Sequence, residues 1–215
     1  MLRDENLIGV VSTHADETYS SRMFRHLEFL LRDLSLELNQ FDLFAVDAGP
    51  GSFTGLRVGL TAAKGWAEVH KKPAAAVSGL EAVAFQSRSA APILVPVLDA
   101  RRGQFYFAFY RSTLGGRALD GEDCVASPEE FIDMLKAKAR NSSFCIVTVD
   151  RNLVTGSLSQ IESNRGELEM VSPVLAPSIG SIGYARAQRG QLSDALSLDA
   201  NYVRRSDAEL HWKTP

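Results

Sequence analysis

A glycine-rich segment, Gly49 to Leu60, constrains the fold of this chain more than any other part of the sequence. The residues before it, Phe41 to Ala48, form an apolar run of strand length, which predicts a buried β-strand. After it, apolar residues recur at helical spacing and predict a helix from Leu56 to His70. The segment is therefore predicted to be a tight turn between a strand and a helix, as in α/β proteins.

The same turn is a candidate anion site, because a glycine turn feeding a helix leaves N–H groups unpaired at the positive end of the helix dipole. Its spacing matches neither the Walker loop nor the dinucleotide fingerprint. The alternative is structural: the glycines serve backbone geometry, Thr54 caps the helix and Asp47 accepts hydrogen bonds from the turn. The candidate anion- or nucleotide-binding residues are Gly49, Gly51, Ser52, Thr54, Gly55 and Arg57.

Strand and helix patterns alternate before and after the turn, and a hairpin follows them. The hairpin joins Ile93–Leu98 to Gln104–Tyr110, with Gly103 in its turn. Ser127 and Glu130 have the spacing of a capping box at the start of a later helix. The other predicted elements are strands Leu7–Val11, Pro73–Val77 and Phe144–Val149, helices Ser21–Leu36 and Pro177–Gln188, and a mobile connection over Asp150–Gly166.

Composition favours a soluble protein that does not hold nucleic acid by itself. The 215 residues include 23 Lys and Arg against 26 Asp and Glu, a net charge of −3, which argues against a broad basic surface. Cys124 and Cys145 stand apart without metal or redox spacing, and the four histidines lack a zinc-binding pattern. No apolar run reaches membrane-spanning length, and nothing resembles a signal peptide. Together these features predict a cytoplasmic protein without a metal site.

Several segments together resemble the TsaB (YeaZ) family. The run from Gly49 to Ala67 is similar to the family signature, and Asp99–Tyr106 is similar to the family's Asp-Ala-Arg-Arg-Gly-Glu-Val-Tyr hairpin. Ser20–Phe24, Val77–Ala82 and Asn201–Arg204 fall where the family has related segments. The resemblance runs from about Leu2 to Asp207 and is most specific up to Tyr110.

The resemblance implies a fold, a role and a set of partners. The implied fold is ribonuclease-H-like, of the actin and sugar-kinase type, with two lobes that we place at residues 1–98 and 99–215. The implied role is a non-catalytic scaffold in the synthesis of threonylcarbamoyladenosine beside the anticodon of tRNA. Its partners would be the catalytic TsaD subunit and the ATPase TsaE, with tRNA reached only through the complex, and with a homodimer when TsaD is absent. No cofactor is implied for the chain itself, ATP or ADP at the complex interface being the exception.

Two helices are the predicted partner interface. The signature helix is unusually small-sided, which allows another helix to approach closely, and the helix from Ser21 adds bulky apolar residues beside it. The resemblance implies a bundle of both helices with those of TsaD. The alternative is ordinary packing of both helices on their own sheet. The predicted interface residues are Phe24, Leu27, Leu31, Leu56, Gly59, Leu60, Ala63 and Ala67.

The beginning of the sequence departs from the family pattern. Met1 to Ile8 correspond to the hairpin after the family's first strand. Either the start is misassigned or this version is truncated and less stable, and of the two we expect a misassigned start. Two other functions stay open at this point. One is a nucleotide-binding phosphohydrolase or transferase that uses the glycine turn, and the other is a glycoprotease-like peptidase, for which the sequence offers neither a nucleophile nor a metal site.

Overall fold

The computed structural model of the chain describes residues 1–13, 19–114, 116–158, 165–192 and 198–203. Within this part, no helix is long and apolar enough to cross a membrane. The helices are α1 (Tyr19–Leu34), α2 (Phe53–His70), α3 (Gly79–Gln86), α4 (Pro128–Ala139), α5 (Arg151–Leu158) and α6 (Ala176–Gln188). The strands are β1 (Leu2–Arg3), β2 (Asn6–Leu7), β3 (Phe44–Gly49), β4 (Ala74–Ser78), β5 (Ile93–Asp99), β6 (Phe105–Phe107), β7 (Tyr110–Thr113), β8 (Gly116–Leu119), β9 (Cys124–Ala126), β10 (Phe144–Thr148) and β11 (Gly166–Met170).

The chain forms two compact units. One contains Met1–Gly79 and Val174–Asn201, and the other contains Leu80–Pro173 and Tyr202–Pro215. The predicted boundary at residue 98 differs from this division in two segments. Residues 80–98 belong to the second unit because β5 pairs with β6 and β10, whereas 174–201 belong to the first because α6 packs on β3 and β4.

The first unit is built on the parallel pair β3 and β4, with Phe44 opposite Ala74 and Asp47 opposite Val77. Helices α2 and α6 lie on opposite faces of this pair, since the Gly59 position of α2 touches Val46 and the Gly183 position of α6 touches Ala45. The core on the α2 side contains Phe44, Leu60, Ala67, Ala74 and Leu198. This layered arrangement fixes the position of the turn between β3 and α2.

The second unit is a seven-stranded mixed sheet. Its main order is β11-β10-β5-β6-β9, and β7 pairs with both β5 and β8. Strand β10 is parallel to β5 and β11, while β5 and β6 form the predicted antiparallel hairpin. Phe105 and Phe107 pack edge-on against Phe131 of α4 in its core. Every side chain of β6 is buried, so both faces of this strand are covered.

Most predicted elements are present with shifted ends. The predicted strand Leu7–Val11 is wrong, because only the two-residue pair β1 and β2 forms there. The predicted mobile connection Asp150–Gly166 is wrong at its start, where α5 forms, and its middle, residues 159–164, lies outside the described residues. Strands β8, β9 and β11 were not predicted. The predicted capping box is confirmed, since the side chains of Ser127 and Glu130 each accept a hydrogen bond from the other residue's backbone amide at the start of α4.

Candidate functional site

The glycine-rich turn is closed on one side by the chain itself. Gly49 has φ 104°, a conformation that glycine adopts without strain, and a Cβ there would lie 3.0 Å from the carbonyl oxygen of Asn201. The amide of Asn201 in turn donates to the carbonyl of Ala48 at 2.7 Å. The structural explanation of Gly49 therefore holds: it permits both the turn and the close approach of a second backbone.

Asp47 holds the turn from within, as the structural alternative predicted. Its Oδ1 accepts a hydrogen bond from the amide of Gly49 at 2.8 Å, and the amide of Gly79 also donates to this carboxyl. Burial raises the pKa of Asp47, and the hydrogen bonds from Gly49 and Gly79 oppose that rise. The carboxyl thereby ties the end of β3 to the start of α3.

The remaining candidate anion ligands lie on the outer side of the turn. The cap of α2 is Ser52 and not Thr54, because Ser52 Oγ accepts from the amide of Gly55 at 3.4 Å. Helix α2 therefore begins earlier than predicted, at Phe53. Arg57 lies over the Phe53 ring, with its guanidinium carbon 3.7 Å from the ring centre. Gly51, Ser52, Thr54 and Arg57 are exposed, so this surface consists of a used helix cap and a stacked arginine.

The apolar face of α1 is only half covered. From Ser21 to Leu34 none of its side chains is buried, although Met23, Leu27, Leu30, Leu31 and Leu34 share one face. Phe24, at the edge of that face, is 54% exposed and packs edge-on against Trp66 of α2, with ring centres 6.3 Å apart. The predicted interface residues of α1 are thus at a partly open surface.

The predicted interface residues of α2 are placed differently. Gly59 faces the sheet, where a Cβ would touch Val46 at 3.4 Å. The other four are buried in the chain's own core, because α2 turns the side that carries them toward β3; they are Leu56, Leu60, Ala63 and Ala67. In this structure these five residues follow the alternative of ordinary packing on the sheet, so they are corrected from surface to inward-facing positions.

A different set of small and apolar residues lies on the outward side of α2. Val69 is 75% exposed, Gly65 is exposed, and Val58 and Ala62 are half-buried. At 100° per residue these four positions fall within about 60° of the helix circumference. Sequence reasoning missed this sector because it chose the most regular apolar stripe, which the sheet covers. A search for a second uncharged sector of α2 would have found it.

Comparison with known proteins agrees with this architecture. The family model of TsaD, described as tRNA N6-adenosine threonylcarbamoyltransferase, matches residues 3–156. The tRNA threonylcarbamoyladenosine biosynthesis protein TsaB of Bacillus subtilis is 27% identical over 99% of this chain and 91% of its own length. The protein of that name from Haemophilus influenzae is 35% identical over 57% of this chain and 56% of its own length. The chain belongs to the family of this TsaD model, on its TsaB (YeaZ) branch.

The TsaB-type fold is also seen in solved structures. A crystal structure of a Pseudomonas aeruginosa protein with similarity to the peptidase YeaZ superposes with a TM-score of 0.70, at 24% identity, over 87% of this chain and 85% of its own. The predicted two-lobed α/β fold is thereby confirmed.

The TsaB-like hairpin has an exposed tip in which Arg101 and Arg102 both have left-handed backbone, at φ 62° and 55°. The amide of Arg101 donates to Asp99 there, at 2.6 Å.

The histidines and other possible metal ligands of this TsaB-family chain can be placed only within the described residues. Among those residues, no three His, Cys, Asp or Glu side chains are grouped as metal ligands would be. His26 and His70 lie on α1 and α2, while His14 and His211 fall outside the described residues. The segment Asn201–Arg204, which resembles the family's C-terminal segment, lies within the described residues only up to Val203.

Proposed function

We propose that this chain is a non-catalytic partner subunit in the synthesis of threonylcarbamoyladenosine in tRNA. It would bind a catalytic TsaD-type subunit through α1 and the outward side of α2. The observation that carries the proposal is the half-covered apolar face of α1, from Met23 to Leu34, beside the exposed Phe24. A helix that is apolar on one face is stable when that face is covered, so this surface is suited to a partner.

The names of the relatives support the biological role. The matching proteins from B. subtilis and H. influenzae are called tRNA threonylcarbamoyladenosine biosynthesis proteins, and the matching family model carries the name of the transferase. A chain that is related to the transferase but carries no grouped metal ligands in its described residues is suited to support catalysis by a homologue. The net charge of −3 agrees with contact to tRNA through that homologue.

The proposal assigns roles to the other expected components as well. A TsaE-type ATPase would join the pair, and the helix surface would form a homodimer when the TsaD-type subunit is absent. No cofactor and no catalytic residue is assigned to this chain. The glycine-rich turn would have a structural role in this function. It fixes where α2 begins, through the Ser52 cap and the hydrogen bond from Gly49 to Asp47.

The test is to mix the purified chain with the TsaD homologue of the same organism and measure the mass of the product by size exclusion with light scattering. Phe24→Glu is the disruptive variant, because it places a charge within the proposed interface. Phe29→Glu is its matched control on the same helix. Phe29 is also exposed, at 60%, and lies five residues away, about 140° around the helix.

A heterocomplex that forms with the wild type and with Phe29→Glu, but not with Phe24→Glu, would support both the role and its surface. If the wild type and the homologue remained separate at micromolar concentrations, the proposed role would fail. A complex that tolerates both substitutions would keep the role but move the interface elsewhere. Circular dichroism of each variant would verify that the helices are intact.

A further inference from the structure

We propose that Arg101 and Arg102, at the tip of the β5–β6 hairpin, bind phosphate groups of the tRNA backbone within the complex. This contact rests on the proposed function, because it concerns the tRNA on which the complex would act. It is a contact that the chain itself makes with nucleic acid, and it belongs to the second unit, whereas the helix surface assigned to the partner protein belongs to the first. The two contacts can therefore be altered by separate substitutions.

The backbone of both arginines has a conformation that arginine does not favour. Arg101 has φ 62°, Arg102 has φ 55°, and Gly103 follows at φ 70°. The amide of Gln104 donates to the carbonyl of Arg101 at 3.1 Å, so Arg102 and Gly103 are the central residues of a tight turn. Turns with positive φ at both central residues prefer asparagine, aspartate and glycine. Arginine here costs the isolated fold stability that asparagine would retain.

Other non-glycine residues with positive φ have a local reason for it. Ser35, Lys71 and Arg140 each follow the last residue of a helix, where a single residue with positive φ commonly ends the helix. Asp4 lies in the turn between β1 and β2 and is of a type that tolerates this conformation. Within the described part of the chain, the hairpin tip is the one place where two consecutive non-glycine residues have positive φ. Backbone strain of this kind is typical of sites where side chains bind something.

The hairpin holds its tip in a fixed position. Asp99 pairs with Phe105 at the base of the tip, and every side chain of β6 is buried. The amide of Ala100 donates to the carbonyl of Gln104 at 3.0 Å. Asp99 Oδ1 accepts from the amide of Arg101 at 2.6 Å, whereas its Oδ2 lies 3.5 Å from the Arg101 guanidinium, which is 87% exposed. The carboxylate thus mainly holds the backbone, and the arginines extend from a rigid base.

The chemistry of the tip fits phosphate groups of a nucleic acid. A guanidinium donates two parallel N–H bonds to two oxygens of one anion, and it stays charged at every physiological pH. Two neighbouring arginines on a protruding loop match the regularly repeated phosphates of a nucleic acid backbone. Under the proposed function, the polyanion in the complex is tRNA. The net charge of −3 argues against a broad basic surface, so a contact by two arginines supports tRNA binding by the complex without holding tRNA alone.

The experiment measures how a fluorescently labelled tRNA transcript binds to the complex of this chain with the TsaD homologue, by fluorescence anisotropy at several salt concentrations. Arg102→Asn removes one charge and introduces a residue that tolerates positive φ. Arg140→Asn is the matched control, because Arg140 is also exposed and has φ 44°. Arg140 lies shortly before the start of β10, at the opposite end of the sheet from the tip, since β10 is parallel to β5.

Arg102→Asn is expected to weaken tRNA binding about three- to tenfold and to reduce the slope of log affinity against log salt concentration by about one. Replacing both arginines of the tip by asparagine should reduce the slope by about two. Arg140→Asn should leave affinity and slope unchanged. Neither single substitution should lower the melting temperature of the isolated chain, because asparagine tolerates positive φ better than arginine does.

Equal tRNA binding by the wild type and Arg102→Asn would overturn the inference and leave the proposed function standing. Equal weakening by Arg102→Asn and Arg140→Asn would also overturn it, because the effect would then come from net charge and not from the tip. Light scattering without tRNA tests the alternative ligand: if Arg102→Asn weakens assembly of the protein complex, the tip binds acidic groups of a protein and the assignment to tRNA is wrong. If the wild type forms no complex, the proposed function fails and the inference fails with it.

Discussion

The amide of Gly49 donates a hydrogen bond to Oδ1 of Asp47 across 2.8 Å. The carboxyl at the end of β3 is thus bonded directly to the turn that begins two residues later. Burial raises the pKa of Asp47 above its ordinary 3.8, in spite of hydrogen bonds from Gly49 and Gly79. A carboxyl whose pKa is higher in the folded state binds more protons there than in the unfolded state. Its contribution to stability therefore falls as the pH rises from 3.8 through the folded-state pKa.

Asp47→Asn removes this titration and keeps an oxygen that can accept from Gly49. We expect the free energy of unfolding of the variant, minus that of the wild type, to increase with pH over this window and then to level off. Urea unfolding at several pH values between 4 and 7 measures the difference. A difference that decreases with pH would mean that the ionised carboxylate stabilises the fold, contrary to the effect of burial.

Sequence patterns predict an element correctly where its local pattern agrees with its burial in the fold. The strand before Gly49 and the helix after it follow from apolar periodicity and a glycine turn, and both are present. By contrast, β11 carries alternating charge, Gly-Glu-Leu-Glu-Met, because it is a strand at the edge of the sheet and its glutamates accept hydrogen bonds from Ser87 and Ser89. Helix α5 was missed because its Thr, Gly and Ser residues are typical of loops.

The candidate interface illustrates the same limit at the level of side chains. Periodicity identifies Leu56 and Leu60 as apolar positions on one side of α2, but it does not tell which side the sheet will cover. The structure gives that side to β3 and leaves Gly65 and Val69 exposed. When a helix has apolar residues on two sides, the sequence alone does not tell which side packs on the sheet. Core residues can be distinguished from residues available to a partner only when the position of the sheet is known.

Asp120 is the centre of a surface ion-pair group in the second unit. It pairs with Arg111 and with Lys138, whose Nζ lies 3.0 Å from Oδ1. Hydrogen bonds from Lys138 and Arg111 lower the pKa of Asp120 below its ordinary 3.8. The stabilisation is therefore present above pH 3.8 and lost as the pH falls through the folded-state pKa.

Asp120→Asn should abolish that acid-side loss and reduce stability at neutral pH by at most about 1 kcal/mol, because the pair is partly exposed. Urea unfolding of wild type and variant at pH 7 and at pH 3 measures both effects. Repeating the neutral experiment in 1 M salt is the control, since screening should shrink the difference. A difference that stays the same at pH 3 would contradict the assignment to the carboxylate.

The start of α4 depends on the reciprocal contacts of Ser127 and Glu130. Ser127 Oγ accepts from the amide of Glu130 at 3.2 Å, and the Glu130 carboxylate accepts from the amide of Ser127 at 2.9 Å. Ser127→Ala removes one cap and is expected to lower the free energy of unfolding by about 1 kcal/mol. Ser127→Thr, which retains a hydroxyl, should recover most of that loss in urea unfolding. Equal losses in both variants would assign the effect to the backbone and not to the cap.

Gly183 is where α6 comes closest to the sheet of the first unit. A Cβ at this position would lie 2.8 Å from the Cβ of Ala45 and 3.3 Å from that of Ala75, and neither methyl group can rotate away. Gly183→Ala should therefore destabilise the chain by about 1–3 kcal/mol through overpacking, although alanine favours helix formation. Gly156→Ala in α5 is the control, because a Cβ built on Gly156 would meet no atom within 4 Å and the same change should therefore stabilise. Stabilisation of both variants in urea unfolding would show that α6 does not pack on β3 and β4 at this distance.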